Sequence, residues 1–230
     1  MTRSSPVDLF LKDLSEVELP DVFNPYRDRC PIYDHAESVR IRRANLRNVL
    51  LGAMQFPQLT MWVAQDLGHR GGRRTGLALT DEFHLEHHTR LLRTGPLRKA
   101  TSGARVAERT AGTVWCALSA IKQPIFLWNV FPFHPHCAGE PCSNRSHNQR
   151  VERGVGTLFL KRLVGLLQPA VIVGIGIAAS EALRRSGFKC EYTRHPSYGG
   201  QKAFLSKLAE LYQLPLPTTL PSGNQSGFWE

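Results

Sequence analysis

No stretch of this chain reaches the roughly 18 consecutive apolar residues that a membrane-spanning helix needs. Its most apolar region, residues 155–177, is interrupted by Lys161, Arg162, Gln168 and Pro169. A membrane span is therefore not expected. Cysteine is sparse and scattered: Cys30, Cys116, Cys137, Cys142 and Cys190 form an odd set, and no charged leader with an apolar segment precedes them. A disulfide-stapled secreted fold is not expected on that pattern, and a reducing cytoplasm is the expected compartment. Without a secretory signal, the glycosylation sequons at Asn144 and Asn224 carry no meaning. Internal repeats are missing too.

Acids are the scarcest charged type. Against 29 Lys and Arg stand 19 Asp and Glu, a net charge of +10 with a pI near 9.8. That balance favours nucleic acid or an anionic surface as partner, although a plain solvated basic surface gives the same count. The remaining composition, 42% hydrophobic and 21% charged over 230 residues, suits an ordinary globular protein. A chain of this length buries roughly 70% of its unfolded surface in one core. We expect one domain over residues 1–214, monomeric, followed by a loosely ordered tail at 215–230 that is rich in Pro, Ser, Thr and Gly.

Periodicity sets out the elements. Residues 7–14 form a short amphipathic segment, and a proline-punctuated arm through Pro20, Pro25 and Pro31 follows, expected to wrap the core. Helical spacing of apolar residues runs over 35–53, partly over 81–92, and over 106–121, 150–167, 178–185 and 202–212. Short apolar runs at 59–64, 125–130, 170–175 and 188–193 read as strands. Strands alternating with helices predict an α/β fold, a three-layer α/β/α sandwich around a central four-stranded parallel sheet. In such a sheet ligands bind beyond the carboxyl ends of the strands.

Asp66, Asn129 and His195 all fall at those ends. Taken singly, each has an ordinary explanation: a strand-end Asp or Asn forms turns or caps, and a lone His packs. Their coincidence on one rim is what supports a functional reading. Just after Asp66, Gly68, Gly71, Gly72 and Gly76 permit tight turns and close backbone approach, and Arg70, Arg73 and Arg74 add positive charge.

These residues resemble the uracil-DNA glycosylase superfamily, over about residues 24–212 and through three motifs in order. The best-known branch ends its first strand in Gly-Gln-Asp-Pro-Tyr-His, where this chain has Ala64-Gln65-Asp66-Leu67-Gly68-His69. Its second strand ends in a base-reading Asn, matched by Asn129 in the run Leu-Trp-Asn-Val-Phe-Pro-Phe-His-Pro-His at 127–136. Its last strand ends in His-Pro-Ser, matched by His195-Pro196-Ser197. The resemblance implies a monofunctional DNA-repair glycosylase, a hydrolase of base excision repair that releases uracil from single- or double-stranded DNA without metal or cofactor. It implies Asp66 and His195 as catalytic residues, and Gln65, Gly68, His69, Leu79 and Asn129 around the uracil. Arg70, Arg73, Arg74, Arg194, Ser197, Tyr198 and Lys202 are the expected DNA contacts.

The residue types suit that chemistry independently. Breaking the bond between deoxyribose and uracil separates a cationic sugar from an anionic base; a carboxylate favours the first and an imidazole donor the second. An Asn offers one acceptor and one donor, matching N3–H and O4 of uracil, whereas cytosine presents the opposite pair. The base must leave the stack to be reached. Three family features differ here: the thymine-blocking aromatic corresponds to Gly68, the base-stacking Phe to Leu79 and the wedge Leu to Gly199. A glycosylase with broader base specificity, admitting thymine or deaminated purines, and a non-catalytic damage-binding module are the alternatives. Residues 174–179, Gly-Ile-Gly-Ile-Ala-Ala, formally satisfy a dinucleotide fingerprint, but no well-placed acid follows about 20 residues on. Neither His134, His136, Cys137 and Cys142 nor Glu86 with His84, His87 and His88 has a recognised metal-site spacing.

Overall fold

The structure is a computed structural model that describes residues 5–215; the expected tail from 216 onward lies outside them. Among the described residues eight helices and six strands follow in order: α1 (Pro6–Glu16), β1 (Val22–Phe23), α2 (Ser38–Ala53), β2 (Thr60–Asp66), α3 (Gly72–Thr75), α4 (Leu85–Leu92), α5 (Arg109–Ala120), β3 (Ile125–Phe131), β4 (His134–Pro135), α6 (Arg150–Leu167), β5 (Val171–Ile175), α7 (Ile177–Arg185), β6 (Glu191–Thr193) and α8 (Gln201–Tyr212). The central sheet has the order β3-β2-β5-β6 and every pair in it is parallel. This is the α/β sandwich expected from the sequence.

Alternation along β2 explains the layers. Met61 and Val63 face one apolar cluster with α1, α2, α6 and α7, through Phe10, Leu14, Leu50, Phe159, Leu163 and Leu183. Trp62 and Ala64 face the other with α5 and α8, through Val114, Trp115, Leu118, Phe204 and Leu208. Because both faces are covered, β2 and β3 are apolar almost without a break.

The structure departs from the sequence reading in several places: Gly72–Thr75 form one helical turn inside the glycine-arginine loop, and the last strand is only Glu191–Thr193. β1 and β4 pair antiparallel as a separate two-stranded sheet, Val22 opposite Pro135 and Phe23 opposite His134. β2 continues through Asp66, which pairs with Phe131, so the acid is the strand's last residue and not the first of the loop. The proline-punctuated arm does pack inward: Tyr26 Oη donates to the Gly76 carbonyl at 2.8 Å, and Arg42 Nε donates to the Pro25 carbonyl at 2.6 Å.

Candidate active site at the carboxyl rim of the sheet

β2 and β3 run side by side with Ala64 opposite Asn129, which brings Asn129 beside the end of β2. Asn129 Nδ2 donates to the Asp66 backbone carbonyl at 2.8 Å. Its Oδ1 is buried without a hydrogen-bond partner among the described residues. An amide only 1% exposed with an idle acceptor is costly, commonly about 1–3 kcal/mol. A ligand that donated to Oδ1 would recover that cost.

The Asp66 carboxylate meets a residue that no sequence motif singled out. His147 Nδ1 lies 2.6 Å from Asp66 Oδ1, and the His147 amide donates to Oδ2 at 3.4 Å. The imidazole stacks on Phe131, with ring centroids 5.3 Å apart. Its loop is held from behind: Arg145 Nη2 reaches buried Glu152 Oε1 at 2.5 Å, and the Asn148 and Gln149 amides donate to Glu152 Oε2 at 2.8 and 3.0 Å. Burial raises the Asp66 carboxyl above its usual range, and the bonds from His147 pull it partly back.

His195 follows β6. The Ser197 amide donates to His195 Nδ1 at 3.2 Å, so in the neutral ring the proton is assigned to Nε2, leaving a donor available. Burial lowers its pKa and favours that neutral form. Gly176, with φ of 89°, sits against it, where a Cβ would come within 3.2 Å of His195 Cβ. A Cβ at Gly174 would overlap Ser180, so both glycines of the formal dinucleotide fingerprint serve close packing.

Several expected positions stay on the rim. Gln65, Gly68 and His69 are half-buried along the end of β2 and the loop after it. The His69 amide donates to Asn144 Oδ1 at 3.0 Å, and His69 Nδ1 lies 3.2 Å from Asn144 Nδ2. Arg70, Arg194 and Lys202 are exposed, and Tyr198 is 99% exposed at φ of 52°. Ser197 Oγ lies 3.2 Å from Thr110 Oγ1. Leu79 is buried in the apolar cluster that includes Trp115, whose Nε1 donates to the Leu79 carbonyl at 3.0 Å.

Arg73 and Arg74 do not face outward as expected of phosphate contacts. The single turn of α3 turns both inward, leaving them 2% and 7% exposed. Arg73 lies over the Phe23 ring at 4.0 Å and bonds His134 Nδ1 at 3.0 Å. Arg74 pairs with buried Glu82 at 3.2 Å and lies over the Tyr33 ring at 4.1 Å. They neutralise and pack the loop from inside. His134 has both ring nitrogens engaged, by Arg73 and by Asn144 at 3.1 Å, which leaves neither for a metal.

Asn144, His147 and Thr110 were not singled out from sequence as site residues. The run Asn144-Arg145-Ser146-His147-Asn148 precedes the α6 capping box, and a hydrogen-bonding side chain anchored beside a helix start was the one available signal. No protein-family model matches the chain, and no curated protein matches it.

Proposed function

We propose that this protein is a DNA-repair glycosylase that hydrolyses the N-glycosidic bond of uracil flipped out of DNA, leaving an abasic site. One observation carries the reading: a buried Asn129 amide, two residues before the end of β3, with an idle Oδ1 beside an Nδ2 engaged by the Asp66 carbonyl. That acceptor meets uracil N3–H, and the second hydrogen on Nδ2 is available for O4. As the bond from C1′ to N1 breaks, its electron pair goes to the base, and His195 Nε2–H donates to an oxygen where charge gathers. Asp66, oriented by His147, offsets the positive sugar and holds a water that adds to C1′; the water's proton passes to the carboxylate and then to solvent.

Arg70, Arg194, Lys202, Ser197 and Tyr198 hold the strand around the flipped nucleotide, and the net charge of +10 supports a polyanionic partner. We place the protein in the cytoplasm, as a monomer working without cofactor or metal. The test is incubation with uracil-containing oligonucleotides followed by cleavage of abasic sites, with and without excess EDTA. Strand scission in both conditions is expected. Undamaged strands after saturating enzyme would leave a non-catalytic damage-binding module, and equal release of thymine would favour the broader glycosylase.

A further inference from the structure

Residues 107–110, at the entry to α5, touch both rim loops. Arg70 Nε donates to the Ala107 carbonyl at 3.2 Å, and Thr110 Oγ1 lies 3.2 Å from Ser197 Oγ. Between them the Glu108 carboxyl lies against the loop that follows Asp66: a Cβ at Gly68 would overlap Oε1, and a Cβ at Gly71 would overlap Oε2. The two glycines leave a gap shaped to a carboxyl group. Among the described residues no hydrogen bond or ion pair reaches those oxygens, whereas the Glu108 amide donates to Asp81 Oδ2 at 2.7 Å. A half-buried carboxyl left without a hydrogen-bond partner near a second carboxylate is a costly arrangement.

We propose that Glu108 is a positioning residue of the site, its carboxyl filling the gap left by Gly68 and Gly71 and holding the Asp66 loop against the His195 loop. The catalytic readout of this proposal rests on the glycosylase reading. Charged groups around Glu108 are few: Asp81, itself 2.6 Å from His84, repels a negative charge, and Arg70 attracts one; Arg109, next in the chain, is exposed. Burial first, then Asp81, pushes the carboxyl from its ordinary 4.5 up to about 7, with Arg70 opposing. A folded value above the unfolded one means that the stability from this group is complete below 4.5 and lost as pH rises through about 7. The neutral acid rests on the two glycines; the ionised form is drawn toward water and Arg70.

The experiment combines thermal melts of E108Q, E108A, G71A and G71A/E108A with single-turnover uracil release across pH 5 to 9. The Tm of E108Q minus that of the parent should grow from pH 5 to pH 8. G71A should lower the Tm in the parent and lower it much less in E108A, because truncation vacates the space that the new Cβ needs. E108A should slow single-turnover release by about tenfold or more. E108Q, which keeps the shape and cannot ionise, should restore most of that rate and hold it to higher pH than the parent. Additive losses for Gly71 and Glu108, or parental rates in E108A at every pH, would overturn the proposal. An inactive parent would overturn the glycosylase reading alone, and the melts would then decide the placement by themselves.

Discussion

At the scale of residues, the proposed glycosylase chemistry rests most on Asp66, and its environment makes sharp expectations. Asp66→Asn keeps the size of the side chain and its capping ability, so stability should stay within about 1 kcal/mol while single-turnover release falls by orders of magnitude, since the lost stabilisation exists mainly in the transition state. Melts with single-turnover assays check both halves. His147 offers a second test with a definite sign. Burial holds Asp66 above its ordinary 3.8, and His147 is the group that pulls it back. In the proposed mechanism only the carboxylate orients water and offsets a cation, so activity should rise with pH through the Asp66 value. His147→Gln should therefore move the acid limb of the pH–rate profile to higher pH, and an unmoved limb would detach His147 from the carboxylate's chemistry. At Asn129 the matching change is Asn129→Asp, which removes the donor to O4 and adds an acceptor for cytosine's amino group. Preference for uracil over cytosine should shrink, by about 1–3 kcal/mol for one bidentate pair. Competition between the two oligonucleotides measures it.

At the scale of elements, the positions of Asp66 and His195 were legible because apolar runs mark strands and a strand's end fixes a place on the rim, whereas β3 runs two residues past Asn129, to Phe131. The parallel sheet followed from the alternation of periods, and the α6 boundaries matched its apolar spacing at both ends. His147 and Glu108 were not legible, since each comes from a loop whose position depends on contacts distant in sequence, such as Glu108 on Gly68. The β1–β4 pairing was hidden by its length of two residues a strand and by Pro135, which cannot donate to a ladder. Arg73 and Arg74 were misjudged because a charge pattern does not say which side of a one-turn helix faces in; buried Glu82 decides it for Arg74. The consequence is testable in stability. Arg74→Met strands the Glu82 carboxylate in the interior and should cost about 3–5 kcal/mol, the usual penalty for breaking a buried pair, in denaturant melts. Arg194→Ala and Lys202→Ala change exposed side chains and should stay within about 0.5 kcal/mol.

For the whole molecule, the distribution of charge separates structure from binding. Several arginines are held inside: Arg42 grips Asp34 with both side chains fully buried, Arg74 pairs with Glu82, and Arg145 with Glu152. Each such pair removes one cation and one acid together, so the excess of +10 is carried by the remaining, mostly exposed, cations. Arg70, Arg194 and Lys202 are exposed on the same rim as the candidate site. If they meet phosphates, binding releases counterions, and the logarithm of the affinity for undamaged DNA should fall linearly with the logarithm of salt concentration. Each phosphate that a variant no longer neutralises should reduce that slope by about 0.9 on a duplex, or about 0.7 on a single strand. Arg194→Ala and Lys202→Ala should each flatten the line by that step while leaving the melts unchanged, and Arg73→Ala should do the reverse. A slope untouched by the exposed pair would place the DNA path elsewhere on the basic surface and detach the rim from strand binding, whatever the site does to a free base.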